Sequence, residues 1–186
     1  MTYGGTNKAT IVFVNTKREC NDLMISDKIR QEVQIIHGDI VQKQREATIE
    51  GFKKGKFKCL IATDVASRGL DIPTVDLVIQ SEPQKEIDTY IHRAGRTARA
   101  GRSGVCVTLY SKFTEGLLTR IEQKCKFKFT KKGAPQRKDI IESSIRDIKQ
   151  SISSLDDLVV QPFSESAEVK NLIFYFYFFY FLIILF

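Results

Sequence analysis

Four arginines fall within the run His92-Arg93-Ala94-Gly95-Arg96-Thr97-Ala98-Arg99-Ala100-Gly101-Arg102. At that density they repel one another unless an anion sits among them. Arg96 and Arg99 are three residues apart, so on a helical turn they point the same way. Two guanidinium groups on one face can clamp a phosphoryl group in transfer, because each planar fork matches phosphate oxygens. The plainer alternative is a solvated basic patch, which this stretch alone does not exclude.

A second cluster is Ala62-Thr63-Asp64-Val65-Ala66-Ser67-Arg68-Gly69-Leu70-Asp71-Ile72-Pro73, directly after an apolar run. The Thr63 hydroxyl and nearby backbone N–H groups can hold a phosphate at a strand-end loop. Gly69 permits close backbone approach, and Asp71 can accept a ribose hydroxyl. Taken singly, these residues also read as a capping Thr, a turn Gly and a surface Asp. The third cluster is His37-Gly38-Asp39 with Gln42 and Arg45. A loop feeding a helix N-terminus offers N–H donors to a phosphate, and Arg45 adds a charge one turn on. An ordinary helix start has the same appearance.

The elements that must position these clusters alternate between strand and helix. Thr10 to Asn15, Val33 to Ile36, Phe57 to Ala62, Val75 to Gln80 and Gly104 to Tyr110 read as strands. Between them, Lys17 to Ile29 (capped by Thr16), Gln42 to Phe52 and a helix opening over Ile87 to Ala94 read as helices, and Phe113 to Cys125 follows. This order predicts an α/β fold: an open, mostly parallel sheet with helices on both faces. In such sheets ligands gather at the carboxyl ends of strands. Lys124 to Lys132 interleaves Lys with Phe, and Ala134-Pro135 is a break. Ile140, Ile141, Ile145, Ile148, Ile152 and Leu155 then recur near a helical period over Asp139 to Leu158, which predicts a C-terminal helical extension.

The net charge of +7 and pI near 9.2 suit a polyanionic partner. The four cysteines form no CxxC pair and the two histidines supply no ligand spacing, so no metal site is expected. Cys59 and Cys106, inside apolar runs, read as small buried hydrophobes, and a reducing compartment is expected. Met1 to Lys8 lacks the apolar core of a signal peptide. Leu172 to Phe186 is an uncharged run of Leu, Ile, Phe and Tyr, shorter than the roughly 17–25 residues of a spanning helix. It reads as an artefact of the gene reading or as a truncated tail anchor. A tethered protein is weighed on this run alone, and the expectation places no membrane among the partners.

In their order and separations, the clusters resemble the second half of the DEAD-box helicases. Ile11-Val12-Phe13-Val14-Asn15-Thr16 looks like motif IV, Gln42-Lys43-Gln44-Arg45 like motif IVa, Thr63 to Ile72 like motif V, and His92 to Arg99 like motif VI. The resemblance covers roughly residues 8–130. His37-Gly38-Asp39-Ile40, Val75 to Ser81, Lys126-Phe127-Lys128-Phe129 and Ile140-Ile141 look like the Gu-type nucleolar group within that family. This resemblance implies a RecA-like domain over residues 1–132, a helical extension over 133–171 and the apolar tail over 172–186.

The resemblance also implies roles. Arg96 and Arg99 would be arginine fingers on ATP, with Gly69 and Asp71 completing its site. Thr16, Gly38, Arg45 and Thr63 would lie along the RNA backbone. Gln42, Arg68, His92 and Arg93 would couple the two ligands. Backbone contacts carry no sequence information, so RNA binding would be sequence-independent and salt-sensitive. Localisation would be nuclear, in the nucleolus, with the cytoplasm as alternative.

The chain departs from the family in three places. Ala98 stands where motif VI usually has Gly: at φ > 0 it is strained, and in a helix it is harmless or better by about 1 kcal/mol. Gln84 replaces an expected second Pro, which predicts a looser loop. Neither a GxxxxGK[ST] loop nor an Asp-Glu-Ala-Asp stretch occurs in the chain. Both belong to the family's first RecA-like domain, the implied partner, which would also hold Mg²⁺. The expectation is therefore a domain that does not hydrolyse ATP alone; the alternative is a non-catalytic RNA-binding module.

Overall fold

Strand parity decides how the core forms. In β1 (Thr10–Phe13), Ile11 and Phe13 point to one face of the sheet, and Val12 with the following Val14 to the other. In β3 (Cys59–Ala62), Leu60 and Ala62 join the first face and Ile61 the second. β2 (Val33–Ile36) follows the same rule, with Ile36 on the first face and Val33 and Ile35 on the second. Both faces of these strands are apolar, as a parallel sheet covered on both sides requires. The computed structural model describes residues 9–26, 33–64, 71–98 and 103–153.

Two helices cover the two faces. α1 (Lys17–Met24) sets Cys20 and Leu23 against Val12, Val14, Ile35 and Ile61. α2 (Gln42–Lys53) sets Ile49 and Phe52 against the opposite face, where Phe52 stacks on Phe57 with centroids 5.6 Å apart. The remaining elements are β4 (Leu77–Gln80), α3 (Ile87–Ala94), β5 (Val105–Thr108), α4 (Glu115–Cys125) and α5 (Arg137–Ser153). The five strands run in the order β2-β3-β1-β4-β5, and every neighbouring pair is parallel. The chain leaves β1 in one direction, through α1 to β2, and leaves β4 in the other, through α3 to β5. Their connections diverge, which opens a crevice between the carboxyl ends of β1 and β4.

The expected architecture is present, a RecA-like parallel sheet with helices on both faces, and most element boundaries agree within two residues. α1 is the exception. It ends at Met24 instead of Ile29, with Ile25 as cap and Ser26 N–H closing on Leu23 O at 3.3 Å. Met24 and Ile25 are exposed, so a further turn there finds no core to bury against. The start of α1 is as expected: Thr16 and Glu19 form a reciprocal capping box, with Thr16 Oγ1 accepting from Glu19 N–H and Glu19 Oε2 accepting from Thr16 N–H at 3.0 Å. The chain divides into two units, 1–143 and 144–186, and α5 runs across the division. The 17 residues of α5 carry the expected extension as far as Ser153. The tail, 172–186, and residues 154–171 lie outside the described residues. Among those described, no helix is long and apolar enough to cross a membrane.

Burial pushes the Cys20 and Cys59 thiols up to about 11, and it raises that of Cys106 as well. At pH 8 a thiol at 11 is thiolate on the order of one part in a thousand. A maleimide titration of the native chain at pH 8 is expected to modify half-buried Cys125 first, and Cys20 and Cys59 only after denaturant is added. Equal labelling rates would show that neither thiol is held in the core.

Candidate functional site

The carboxyl edge of the sheet is organised by Arg93, a charged residue only 2% exposed. It projects from the last turn of α3. Its Nε donates to Asp64 Oδ1 at 2.7 Å and its Nη2 to Asp64 Oδ2 at 2.6 Å, a bidentate pair. Nη2 also reaches Asn15 Oδ1 at 3.3 Å and Val14 O at 3.4 Å. The guanidinium lies 5.3 Å from the centroid of the Phe13 ring. One side chain thus joins α3, the end of β1 and the loop after β3. Its Nη1 is buried without a hydrogen-bond partner among the described residues.

Asn15 is the second node. Its Nδ2 donates to Glu82 Oε2 at 3.2 Å, and its Oδ1 accepts from Gln84 Nε2 at 3.0 Å as well as from Arg93. Gln84 Nε2 also donates to Glu82 O at 3.1 Å. The expected loosening at Gln84 is therefore not what the structure has. The amide replaces a proline's rigidity with hydrogen bonds across the crevice between β1 and β4. Asn15, Asp64 and Glu82 were not singled out as site residues from sequence. The available signal was their position, each within two residues of a strand's carboxyl end.

Three candidate residues line up along this edge on adjacent strands. Thr16 follows β1, Thr63 follows β3 and Gly38 follows β2. Thr63 is buried, with its N–H on Ile36 O at 3.1 Å, which ties the β3 and β2 loops together. Lys17 Nζ holds Asp39 at 2.8 Å, and this hydrogen bond keeps the Asp39 carboxyl below its ordinary range. His37 is buried, and its Nδ1 accepts from Asp39 N–H at 3.4 Å. α2 begins at Val41, which offers no side-chain cap, and its first turn has no acidic residue. Its leading N–H groups and positive dipole end suit an anion, as the sequence predicts. Half-buried Arg45 has its Nε buried and without a hydrogen-bond partner among the described residues. Gln42 donates instead to Glu46 Oε1, at 2.6 Å.

Asp71 and Arg96 are not at these loops. Arg96 O accepts from Val75 N–H at 2.9 Å, two residues before β4 begins, so Arg96 sits on the amino side of the sheet. Exposed Asp71 pairs with Lys53 Nζ at 2.7 Å, at the last residue of α2, on that same side. The candidate residues thus fall into two groups at opposite ends of the strands, and not all at the carboxyl end. Exposed His92 lies on the last turn of α3, between them. Arg68, Gly69 and Arg99 lie outside the described residues.

Ala98 has φ of +55°, so the strained alternative holds. Its neighbour Thr97 is buried and donates from Oγ1 to Val75 O at 2.6 Å. Gly104 packs so closely on this turn that a Cβ there would lie 1.9 Å from Thr97 Oγ1. The turn is therefore held in its left-handed conformation from both sides.

The helicase conserved C-terminal domain family matches residues 3–101. Nucleolar RNA helicase 2 of Mus musculus is 46% identical over 166 residues, which cover 89% of this chain and 20% of that relative. The chain thus spans about a fifth of that relative's length. Among solved structures, the C-terminal domain of the DEAD-box protein Dbp5 superposes with a TM-score of 0.60 at 37% identity, covering 66% of this chain and 73% of that one. The E. coli DEAD-box protein SrmB, bound to regulator of ribonuclease activity A, gives 0.62 at 31% identity, covering 72% and 84% respectively.

Three substitutions test this geometry by urea denaturation. Asp64→Ala leaves a buried guanidinium unpaired and is expected to cost about 3 kcal/mol. Asp88→Ala, which removes an exposed partner of Lys124, is expected to cost under about 0.5 kcal/mol. Ala98→Gly relieves the left-handed strain and is expected to add about 1 kcal/mol. A loss of stability in Ala98→Gly would contradict the φ assigned to this turn.

Proposed function

The chain belongs to the helicase conserved C-terminal domain family, in its DEAD-box branch, and on that footing we propose that it is the second RecA-like domain of an ATP-dependent RNA helicase. In this reading it acts with a first RecA-like domain, which supplies the phosphate-cradling loop and holds Mg²⁺. The Mus musculus relative is named as a nucleolar RNA helicase, and the proposed localisation is accordingly the nucleus, in the nucleolus.

The observation that carries the proposal is the division of the candidate residues into two groups. Thr16, Gly38 and Thr63 follow adjacent parallel strands, a spacing suited to successive contacts along a single-stranded backbone. Arg45 stands on the helix that begins beside Gly38 and brings positive charge to the same edge. Arg96 and Asp71 stand on the amino side, where they supply a guanidinium for phosphate and a carboxylate for ribose; Gly69 and Arg99, outside the described residues, are assigned to this site by the motif resemblance alone. Arg93 is the positioning residue between the groups. It touches neither proposed ligand through its paired nitrogens, but fixes the α3 turn that carries His92 and Arg96 relative to the β1 and β3 loops. Gln42 and Arg68 belong to the same coupling set. Domain closure over ATP and RNA would favour binding of both, so each ligand raises affinity for the other.

The test joins this chain to a first RecA-like domain and measures RNA-stimulated ATP hydrolysis. Arg96→Ala is expected to lower kcat by about 10³-fold or more. Arg96→Lys should recover little of it, because an ammonium lacks the bidentate fork. Thr63→Ala should instead weaken RNA binding. Turnover of Arg96→Ala at the parent rate would remove Arg96 from the ATP site.

A further inference from the structure

A second concentration of positive charge lies outside the four motifs. Residues 110–132 carry seven Lys or Arg against two Glu, a local surplus of five. Both acids are engaged: Glu115 with Lys131, and Glu122 with Lys128 Nζ at 3.1 Å and Phe129 N–H at 2.8 Å. The same stretch holds three of the chain's exposed aromatic rings. Phe113 is 99% exposed, Tyr110 41% and Phe127 38%. A phenylalanine with its whole side chain in water contributes nothing to the core.

The local structure holds these groups in place. α4 ends at Lys126, whose φ of +56° turns the chain back. Glu122 then fixes the returning segment through Phe129 N–H. Phe129 packs edge-on to buried Tyr90 of α3 with centroids 5.9 Å apart, and Phe127 packs edge-on to Phe129 at 4.8 Å. Lys131 ties the returning segment to the loop after β5, through Glu115 and over the Tyr110 ring at 5.9 Å. Lys131 thus joins the two segments, and along the returning one Lys and Phe alternate from Lys126 to Phe129. The loop holding Tyr110 and Phe113 follows the carboxyl end of β5, on the edge that carries Thr16, Gly38 and Thr63. β5 lies two strands from β1, roughly 10 Å away.

We propose that Tyr110, Phe113 and Phe127, with Lys112, Lys126 and Lys128, form a second RNA-contact surface that stacks the bases of single-stranded RNA extending from the carboxyl edge. The inference rests on the RNA reading above, and it deepens that reading with a chemistry the motif residues lack. They grip the sugar–phosphate backbone, whereas exposed rings take base faces without regard to sequence. The surface extends the bound strand in a direction set by the sheet order, from β2 towards β5. It favours unpaired over paired RNA, because only unstacked bases offer a free face.

The test is an NMR titration of the whole 186-residue chain with a uridine octamer at low salt. Ring resonances of Phe113, Tyr110 and Phe127 are expected to shift together with the amides of Thr16, Gly38 and Thr63. Phe113→Leu, which keeps apolar bulk without a π face, is expected to weaken binding about tenfold. Lys126→Ala should lower the salt slope by about 0.7. If the carboxyl-edge amides shift and the rings do not, this surface is overturned and the motif reading stands. If the rings shift alone, this surface is supported and the motif residues lose their RNA role. If neither moves, both are overturned. If poly-glutamate moves the rings as far as RNA does, the surface is a site for acidic protein, and the stacking proposal fails.

Discussion

The buried Arg93–Asp64 pair is the constraint on which the rest of this domain depends. Desolvating a guanidinium is costly, and here a bidentate carboxylate offsets the cost at two of the three nitrogens, while Nη1 is left without a hydrogen-bond partner among the described residues. Here the carboxylate takes two of the nitrogens, while Val14 O and Asn15 Oδ1 take what Nη2 has left. These demands fix four elements at once: the end of β1, the loop after β3, α3 and, through Asn15, the loop after β4. A hydrophobic contact of the same size would hold them together without setting their angles. The pair sets direction as well as distance where these elements meet.

The sheet explains why one domain can present two different surfaces. Five parallel strands put all the strand-exit loops on one edge and all the strand-entry segments on the other. The residues proposed for RNA are on exits, and those proposed for ATP on the entry to β4 and the turn beside it. α3 crosses between the edges, with His92, Arg93 and Arg96 at its end. A displacement of that helix turn moves both surfaces together. In the proposed function this would be the route by which binding on one edge is felt on the other, through a single helix.

Much of the fold was legible because its signals are local. The continuous apolar runs of β1 and β3 mark strands of a covered sheet, and Thr16 marks the start of α1. The motif clusters were legible as types and spacings. What the sequence did not disclose depends on partners far along the chain. Arg93 looks like its three neighbouring arginines, and only Asp64, 29 residues earlier, makes it a buried clamp. Gln84 reads as a lost proline until Asn15, 69 residues away, accepts its N–H. Asp71 and Arg96 follow the motif pattern but not the rule that places ligands at strand exits, because the segments that hold them have already crossed the sheet. The end of α1 was misread because its sequence continues to suit a helix where the core no longer reaches.

The ion pair between Lys53 and Asp71 gives the proposed ribose site an internal rival. In the structure this carboxylate already has a cationic partner, held 2.7 Å away by the end of α2. A ribose hydroxyl that engages Asp71 must share it with Lys53 or displace it. Nucleotide affinity is then set by a difference between two interactions, not by one. Because the rival is an exposed ion pair, salt weakens it more than a neutral hydrogen bond. Higher ionic strength would therefore loosen the grip on RNA and on a phosphate held by Arg96 while freeing this carboxylate for its sugar, so the two halves of the proposed nucleotide site respond to the same ions in opposite senses.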